Sequence, residues 1–464
     1  MNEKDSSKKV GRRRFLKAGG VLAAVGALGS IVALVTGSER SGKVRKRARW
    51  IRVVDRPTLG ETTADYKRFS GRDMFALYVP LKTQHDGVGS FEAEQASKAK
   101  RLATLMAAKR PGFTLPDQIL SEGAWTVMHS AKPGAGLLSW TRISPHPQGE
   151  TAALRYVDSP EEMASTVKTA ARLYGAGMVG IAPMNEAYFN LKVPEDGPPQ
   201  KGAQPQEKSI VFEDIDVPEV TDIRFAIPKR MKWVVTIAIP MDLDLLTLAP
   251  TPLGDTASAL GYSHSAFVVS SLAEFIRGLG YQAIPSVNDT AQSVPFAVDA
   301  GLGELGRLNK LVTPEFGPAV RLCKVFTDMP MAYDKPIDFG LVEFCRRCKK
   351  CAEACPSRAL SFDNEPSFNT KGPWNNPGHK AWFEDSYKCF QFWQKSNSAC
   401  GICLVSCPYT KGKEAWIHDG VKATASVAPA ADGLFRILDG TFGYGKQHDP
   451  GQWWKYSSQQ DKRG

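Results

Sequence analysis

A chain of 464 residues, 42% of them hydrophobic, is long enough to bury a large core. Its net charge of +11 is concentrated in residues 1–50, which carry +10, so the remaining 414 residues are nearly neutral. A neutral body excludes a basic groove for nucleic acid, and the lack of a C-x-x-C-H run in the sequence excludes a c-type haem.

The basic N-terminus is typical of an export signal. Arg12-Arg13-Arg14-Phe15-Leu16-Lys17 matches the twin-arginine pattern R-R-x-F-L-K, and an uncharged apolar run extends from Ala18 to Gly37. We therefore expect the folded protein to be exported by the twin-arginine route. The sequence leaves open whether the signal is cleaved. No clean A-x-A site follows it, the apolar run is long enough to span a bilayer, and Lys43 to Arg49 form a basic segment.

The first clear periodic pattern begins at Ser159. Ser159-Pro160-Glu161-Glu162 is a capping box with proline at the first helical position, and it predicts a helix that ends near Gly175. Met178 to Pro183 then reads as a short apolar strand. Residues 194–209, rich in Pro, Gly, Gln and Lys, indicate a surface loop. Before Ser159, the aromatic-rich residues 50–150 show no strong period and could form either core or a pocket wall.

A second set of helix and strand patterns follows. Trp233 to Pro240 is an uninterrupted apolar run, which predicts a strand buried on both faces. A helix is predicted from about Ser258 to Leu279, ended by Gly280, and then a strand from Tyr281 to Pro285. This alternation indicates the α/β (α+β) class.

Residues Gly301 to Gly306 satisfy G-x-G-x-x-G, the fingerprint of dinucleotide-binding loops. The context disfavours that interpretation, because Pro295 interrupts the required strand and Pro314 follows closely. No acidic residue stands near the expected offset of about twenty residues. We expect instead a loop whose bare backbone lies close to another large cofactor.

Eight of the nine cysteines lie near the end of the chain and point to iron–sulfur chemistry. The first four stand at C-x2-C-x2-C-x3-C-P, the bacterial ferredoxin spacing for a [4Fe–4S] cluster, and a second run reads C-x2-C-x3-C-P. Disulfides or a zinc site would not need paired Cys-Pro endings. By analogy with two-cluster ferredoxins, the ligands cross between the runs. The predicted ligands are Cys345, Cys348, Cys351 and Cys407 for cluster one, and Cys355, Cys389, Cys400 and Cys403 for cluster two. Cys323 remains, and is predicted to be a buried free thiol.

Several segments resemble the corrinoid-dependent reductive dehalogenases, the respiratory type exported by the twin-arginine route. The resemblance extends over residues 165–410 and includes the export signal and both cysteine runs. It is carried by Ala170 to Pro183, Gly261 to Ser263, Leu279 to Thr290, Ala300 to Arg307 and Phe316 to Asp328. Residues 38–150 match less well, which leaves the organohalide open.

The resemblance implies a nitroreductase-like core that holds a corrinoid (a cobamide, base-off) and an inserted bacterial ferredoxin-like domain with two [4Fe–4S] clusters. The activity implied is reductive removal of halide from an organohalide, a small chlorinated alkene or alkane, at a Co(I) corrinoid fed by the clusters. The resemblance divides the chain into five parts. These are residues 1–37 as the signal, 38–150 covering the pocket, 151–340 as the catalytic core, 341–415 as the cluster domain and 416–464 as an aromatic tail packed on the core.

The family's catalytic tyrosine, arginine and asparagine fall on Tyr262, Arg321 and Asn288. Tyrosine is a weak acid unless a cation stabilises its phenolate, and Arg321 would supply that charge while Asn288 orients the hydroxyl. Corrinoid contacts are implied for Thr290, Ser293, Gly301 and Gly303.

The implied location is the outer face of the cytoplasmic membrane. The implied partners are a small integral membrane anchor protein and an electron donor, either a quinone pool or a hydrogenase complex, with no nucleic acid. Two alternatives remain open at this point. One is a corrinoid and iron–sulfur reductase similar to epoxyqueuosine reductase, which the neutral body disfavours. The other is a non-enzymatic electron carrier, which would leave about 340 residues before the clusters without a role.

Overall fold

The computed structural model describes residues 50–70, 91–143, 155–194, 207–410 and 445–455. The predicted export signal lies outside these residues, as do most of the predicted loop 194–209 and most of the tail 416–464. The helices are α1 (Phe91–Ala107), α2 (Leu115–His129), α3 (Pro160–Leu173), α4 (Leu243–Leu246), α5 (Pro252–Gly278), α6 (Ser293–Asp299), α7 (Leu341–Arg347), α8 (Lys350–Ala354), α9 (Ser386–Ser396) and α10 (Ile402–Ser406).

The strands are mostly short, and they form one central sheet and several smaller ones. They are β1 (Arg52–Val53), β2 (Ala131–Lys132), β3 (Ala135–Gly136), β4 (Met178–Pro183), β5 (Lys192–Pro194), β6 (Glu207–Glu213), β7 (Glu219–Val220), β8 (Arg224–Pro228), β9 (Trp233–Pro240), β10 (Ala283–Ser286), β11 (Glu304–Leu305), β12 (Leu311–Val312), β13 (Val320–Thr327) and β14 (Ile337–Asp338).

The central sheet has the order β10-β13-β9-β4, and every neighbouring pair is antiparallel. In the β9–β13 pair, Arg321 lies opposite Ile239 and Lys324 opposite Thr236. The antiparallel pairing places the fold on the α+β side of the predicted class, because alternating parallel strands and helices would have given a doubly wound sheet.

Strand β9 is buried on both faces, as its uninterrupted apolar sequence predicts. Val235 and Ile237 pack on one face with α3 and α5, whereas Val234 and Ala238 pack on the other face with α6 and the smaller sheet β5-β6-β8-β7. Successive strand residues point to opposite faces, so a strand between two covered faces needs apolar residues at every position.

Helix α3 has the predicted cap, because the Ser159 side chain accepts a hydrogen bond from the backbone N–H of Glu162. Helix α5 begins six residues earlier than the predicted Ser258. The Thr251 hydroxyl oxygen caps it by accepting from Gly254 N at 3.2 Å, and Pro252 occupies the first turn. Thr-Pro at a helix start is a signal that the apolar period alone does not contain.

The region between residues 91 and 129 holds two helices that the sequence analysis did not predict. Helix α2 begins with a capping box formed by Thr114 and Asp117, and it packs lengthwise on α5. Both helices have weak amphipathic patterns, and much of each remains exposed. Tertiary packing, of α2 on α5 and of α1 on α9, therefore decides their placement more than the sequence period does.

The cysteine-bearing segment packs on the core through the short helices α7, α8, α9 and α10, in one apolar cluster with Trp50, Phe339 and Trp382. The described part of the aromatic tail lies on the body: Trp454 Nε1 donates to Asp117 Oδ1 at 2.8 Å, and Trp453 packs against the same apolar cluster. In the described residues, none of the helices combines the length and the apolar character needed to cross a membrane.

Candidate active site

Tyr262 lies in the middle of α5, and two donors point at its hydroxyl oxygen. Asn288 Nδ2 donates to it at 2.9 Å and Arg321 Nη1 at 3.4 Å. The guanidinium of Arg321 also lies over the tyrosine ring, with Cζ 4.4 Å from the ring centre. The structure therefore brings together the three residues that the family resemblance implies are catalytic.

Helical spacing places the supporting residues of Tyr262 on the same face of α5. Asp255, Ser258 and Tyr262 stand at positions i, i+3 and i+7. Ser258 Oγ accepts a hydrogen bond from Arg321 Nη2 at 2.6 Å, which fixes the guanidinium beside the ring. Gly261 leaves room for this arginine, because a Cβ there would lie only 2.8 Å from Arg321 Cγ.

Trp125 of α2 stacks on Tyr262, with ring centres 5.4 Å apart and planes inclined by 25°. Its indole Nε1 donates to Asp255 Oδ2 at 3.1 Å, and the Ser121 hydroxyl donates to the same oxygen. Tyr262 thus contacts an indole as well as a guanidinium, which restricts the rotation of its ring. From the sequence, the aromatic residues of this region could form either core or pocket wall, and nothing in their spacing singles out Trp125.

The turn that carries Asn288 is held by two charged side chains, the partly buried Asp289 and the fully buried Lys324. Asp289 Oδ1 accepts the backbone N–H of Val287 at 2.7 Å, and Lys324 Nζ donates to the Val287 carbonyl at 2.7 Å. Lys324 is fully buried, and this burial lowers its pKa to about 8. Its ammonium also donates to Ser293 Oγ at 3.0 Å. These bonds fix the backbone on the N-terminal side of Asn288.

A cavity of about 530 Å³ is lined both by Tyr262, Asn288 and Arg321 and by four of the cysteines, Cys355, Cys389, Cys400 and Cys403. The same cavity has apolar walls that include Val294, Val298, Leu311 and Leu322. A group bound in it would touch the tyrosine and lie beside the thiols of predicted cluster two.

Polar groups on the cavity wall fit a large cofactor with an amide-bearing rim, such as a corrinoid. Within the described residues, Gln292 Nε2 and Arg321 Nε are buried without a hydrogen-bond partner, and both residues line the cavity. Asp299, also on the wall, accepts a hydrogen bond from the Tyr188 hydroxyl at 3.0 Å, and burial raises its pKa to about 6. Amide side chains present both carbonyl acceptors and N–H donors, so they could satisfy these groups.

The four implied corrinoid contacts are placed differently. Ser293 lines the cavity, whereas Thr290, Gly301 and Gly303 are not among its lining residues. A Cβ on Gly303 would lie 2.2 Å from the carbonyl oxygen of Val312, so this glycine permits close packing of backbone on backbone. The structure thus gives the glycine motif a packing role, where the sequence suggested close approach to a cofactor. Contact of Thr290, Gly301 and Gly303 with the corrinoid stays a prediction.

The seven cysteines of the two runs, together with Cys389, are free thiols and form two neighbouring groups. Burial raises the pKa of Cys351 well above its usual value, and the thiols of Cys407, Cys345 and Cys348, followed by that of Cys403, raise it further. Burial likewise raises the pKa of Cys403 to about 12, with Cys400 and Cys355 adding to the increase. The same two thiols of the second run, Cys400 and Cys403, act on Cys389. In the described part of the chain, no three His, Cys, Asp or Glu side chains converge as ligands of a single metal ion.

Cys323 lies apart from both groups, on β13. It is fully buried and free, as predicted, and burial raises its pKa to about 12. The thiol is therefore protonated at neutral pH and is held in the core by packing.

Comparison with known proteins agrees with this geometry. Residues 46–331 match the family model of the reductive dehalogenase subunit, and residues 344–410 match a 4Fe-4S double cluster binding domain. The chain is 40% identical over 299 residues to the tetrachloroethene reductive dehalogenase of Sulfurospirillum multivorans, covering 64% of this chain and 59% of that protein. It is 33% identical over 362 residues to the tetrachloroethene reductive dehalogenase of Dehalobacter restrictus, covering 73% of this chain and 64% of that protein.

Among solved structures, the catabolic reductive dehalogenase NpRdhA shares the fold, with a TM-score of 0.61 and 24% identity, covering 88% of this chain and 51% of that one. The chain spans about three fifths of the length of the curated relatives it matches. The first family model covers more than half of the chain. The protein therefore belongs to the reductive dehalogenase family, whose cofactors are a corrinoid and two [4Fe–4S] clusters.

Proposed function

We propose that this protein catalyses reductive dehalogenation of a small organohalide. Two electrons and one proton convert the carbon–halogen bond into a carbon–hydrogen bond and release halide. The observation that carries the proposal is the single cavity lined by Tyr262, Asn288 and Arg321 together with the four cysteines of cluster two. When bound there, the corrinoid supplies the two-electron reduction of the carbon–halogen bond. The chain itself supplies the proton, the electron route and the shape of the pocket.

Tyr262 is proposed as the proton donor. Its oxygen already accepts hydrogen bonds from Asn288 and Arg321, so its own O–H remains available to donate into the cavity. Both interactions stabilise the phenolate that forms when the proton leaves, and Arg321 contributes a permanent positive charge. Ser258 and Gly261 support the reaction indirectly, by holding Arg321 and by leaving room for it.

The electrons are proposed to pass from cluster one to cluster two and then into the cavity. Cluster one is assigned to Cys345, Cys348, Cys351 and Cys407, and cluster two to Cys355, Cys389, Cys400 and Cys403. Three of the four thiols that act on Cys351 belong to cluster one, and both thiols that act on Cys403 belong to cluster two, which supports this division. All four proposed ligands of cluster two line the cavity, which supports its place next to the corrinoid.

The proposal also includes a substrate class and a cellular location, which rest on the named relatives and on the N-terminal sequence. A chlorinated ethene is the first candidate substrate, because relatives 40% and 33% identical carry the name tetrachloroethene reductive dehalogenase. The twin-arginine sequence supports export to the outer face of the cytoplasmic membrane. There a small integral membrane anchor protein would hold the enzyme, and a quinone pool or a hydrogenase complex would supply electrons.

The decisive experiment is anaerobic turnover of the reconstituted full chain against chlorinated ethenes, ethanes and aromatics, with halide release as the readout. Metal analysis accompanies it, and we expect one cobalt for each pair of four-iron clusters. Halide release that requires both corrinoid and reductant would support the proposal. A fully loaded protein that releases no halide from any member of the panel would contradict it.

A further inference from the structure

Arg307 is a fully buried arginine beside the cysteine runs. Its Nε and Nη2 donate to the carbonyl oxygen of Cys345 at 2.9 and 2.6 Å. Its Nη1 donates to the carbonyl oxygens of Ser361 and Asp363 at 2.9 and 2.6 Å. The guanidinium lies over the ring of Trp382, with Cζ 4.8 Å from the ring centre. These hydrogen bonds all end on backbone carbonyls of the cluster segment.

The charge of Arg307 has no carboxylate partner at ion-pair distance within the described residues. The only carboxylate among its main electrostatic neighbours belongs to Asp363, whose side chain is 68% exposed and therefore well screened. Burial lowers the pKa of Arg307, and the thiols of Cys345, Cys351 and Cys348 act in the opposite direction. A buried cation needs nearby negative charge, and as ligands of cluster one Cys345, Cys348 and Cys351 would be thiolates that supply it.

The second group of cysteines has a different electrostatic environment. Lys310 is the cation that acts on Cys403 and Cys389, but its ammonium is paired with the carboxylate of Glu384. The two charges largely cancel at a distance. Cluster one therefore faces a buried cation that, among the described residues, has no carboxylate at ion-pair distance, although the buried carboxyl group of Glu304 also acts on Cys345, whereas cluster two faces an ion pair.

We propose that Arg307 is the counter-charge of cluster one and raises its reduction potential above the value that the ligand set alone would give. Reduction adds one negative charge to a cluster, and a fixed cation nearby stabilises the reduced form. In a low-dielectric interior this effect is strong and is little screened by salt. Charge and hydrogen bonding around the ligands are established determinants of cluster potential. The proposal rests on the ligand assignment given above, and it makes Arg307 a positioning residue that acts through the cluster.

The test is a redox titration of the reconstituted full chain, followed by electron paramagnetic resonance, in Arg307→Gln. Glutamine retains hydrogen-bond donors and removes the charge. We expect the potential of cluster one to become more negative while that of cluster two stays within error of wild type. The signal lost in Cys348→Ser identifies cluster one, and the signal lost in Cys389→Ser identifies cluster two. If these two variants lose the same signal, the ligand assignment fails independently of Arg307.

Arg346→Gln is the matched control. Arg346 follows Cys345 directly, but its side chain is 39% exposed and pairs with Glu343 and Glu365. Removal of this screened charge should move neither potential appreciably. Equal shifts in the Arg346 and Arg307 variants would overturn the proposal, because they would show a general effect of protein charge.

Arg307→Lys provides a second readout. A buried lysine gives up its proton far more readily than a buried arginine. The potential of cluster one should therefore depend on pH in the Arg307→Lys variant, whereas the charge of Arg307 in the wild type gives no such dependence. Two further results would overturn the proposal. One is an unchanged potential of cluster one in Arg307→Gln at full iron content. The other is loss of cluster one from both variants with cluster two intact, which would show that Arg307 serves only to fold the segment.

Discussion

Asn288 Nδ2 donates to the hydroxyl oxygen of Tyr262 across 2.9 Å, although 26 positions separate the two residues along the chain. Helix α5 carries one of them, and the turn that follows β10 carries the other. The contact exists because α5 packs on β10 and β13, which also brings Arg321 to the same oxygen. The site is thus built across three elements of the rigid core, an arrangement that keeps the geometry of a proton donor precise.

Gly261→Ala should reduce turnover while the protein still folds and binds iron. The new Cβ would lie 2.8 Å from Arg321 Cγ, so the arginine must shift away from the tyrosine. Misplacement of a catalytic group by about 1 Å can cost on the order of 10²-fold in rate. The measurement is kcat of the reconstituted variant at full iron content.

Gly123→Ala is the matched control for this change. It makes the same substitution in helix α2, where an added Cβ meets nothing within 4 Å. We expect unchanged turnover and a gain in the free energy of unfolding of about 0.5–1 kcal/mol, the usual advantage of alanine over glycine in a helix. Equal turnover in the two variants would contradict the role given to Gly261.

Asp299→Asn should stabilise the protein at neutral pH. Burial raises the pKa of Asp299 to about 6, so folding disfavours the ionised carboxylate. For an acid with a raised pKa, the penalty is fully present above about pH 6 and disappears as the pH falls towards the ordinary value near 4. The amide is neutral throughout and can still accept the hydrogen bond from Tyr188.

Thermal unfolding at a series of pH values measures this difference. The variant should be more stable than wild type at pH 7, and the two stabilities should converge near pH 4. A constant difference across this range would show that packing, and not ionisation, causes it. Tyr188→Phe is the control, because it removes the hydrogen bond and leaves the carboxyl group in place.

Much of the core could be predicted from the sequence. The side chains that hold the site through contacts between distant parts of the chain could not. The apolar run Trp233–Pro240 specifies a doubly buried strand, and Ser159 specifies a helix start, because both signals are local. Tyr262, Asn288 and Arg321 were reached through a family resemblance, and the structure brings them together. Trp125 and Lys324 were missed, because their roles depend on contacts made across 137 and 37 positions, respectively, in the folded chain.

The glycine motif Gly301–Gly306 shows the limit of motif reasoning. A sequence pattern records that a side chain is not tolerated, but it does not record what occupies the space. In the fold, Gly303 lies against the carbonyl of Val312, and a Cβ on Gly180 would lie 2.3 Å from the carbonyl oxygen of Ala300. The buried Arg307, which directly follows this motif, is a similar case. Its electrostatic role depends on the cysteines that the fold places next to it, and the motif does not predict them.

Cys389→Ser should reduce iron content or shift the potential of one cluster. Cys389 lies on α9, lines the cavity and has Cys400 and Cys403 as electrostatic neighbours. Cys323→Ala is the control, since this thiol is buried in the core, away from the eight others. It should keep full iron content and lose only packing energy. Full iron content and unaltered spectra in the Cys389 variant would refute its assignment as a ligand.

Replacement of both Arg12 and Arg13 by lysine should retain active, fully loaded enzyme in the cytoplasm. The twin-arginine route requires the arginine pair and carries folded proteins, so cofactor insertion is expected to be unaffected. The measurement is the distribution of iron-containing protein between cytoplasm and membrane exterior, with Arg14→Lys as the control. Equal export of the double variant and wild type would show that this segment is not the export signal.

Tyr262→Phe tests the proton donor directly. The substitution removes one hydroxyl and almost no volume, and the ring can keep its contacts with Trp125 and Arg321. Corrinoid and iron content should therefore match wild type, while turnover should fall by about 10²–10⁴-fold, the usual contribution of a general acid. Arg321→Lys keeps a positive charge but loses the planar fork that contacts both Tyr262 and Ser258, so it should reduce turnover less severely than removal of the charge in Arg321→Met. Loss of that charge should also leave the phenolate less stabilised and make protonation of the product slower. A Tyr262→Phe enzyme within about threefold of wild type would contradict the assignment, because a general acid contributes far more than this.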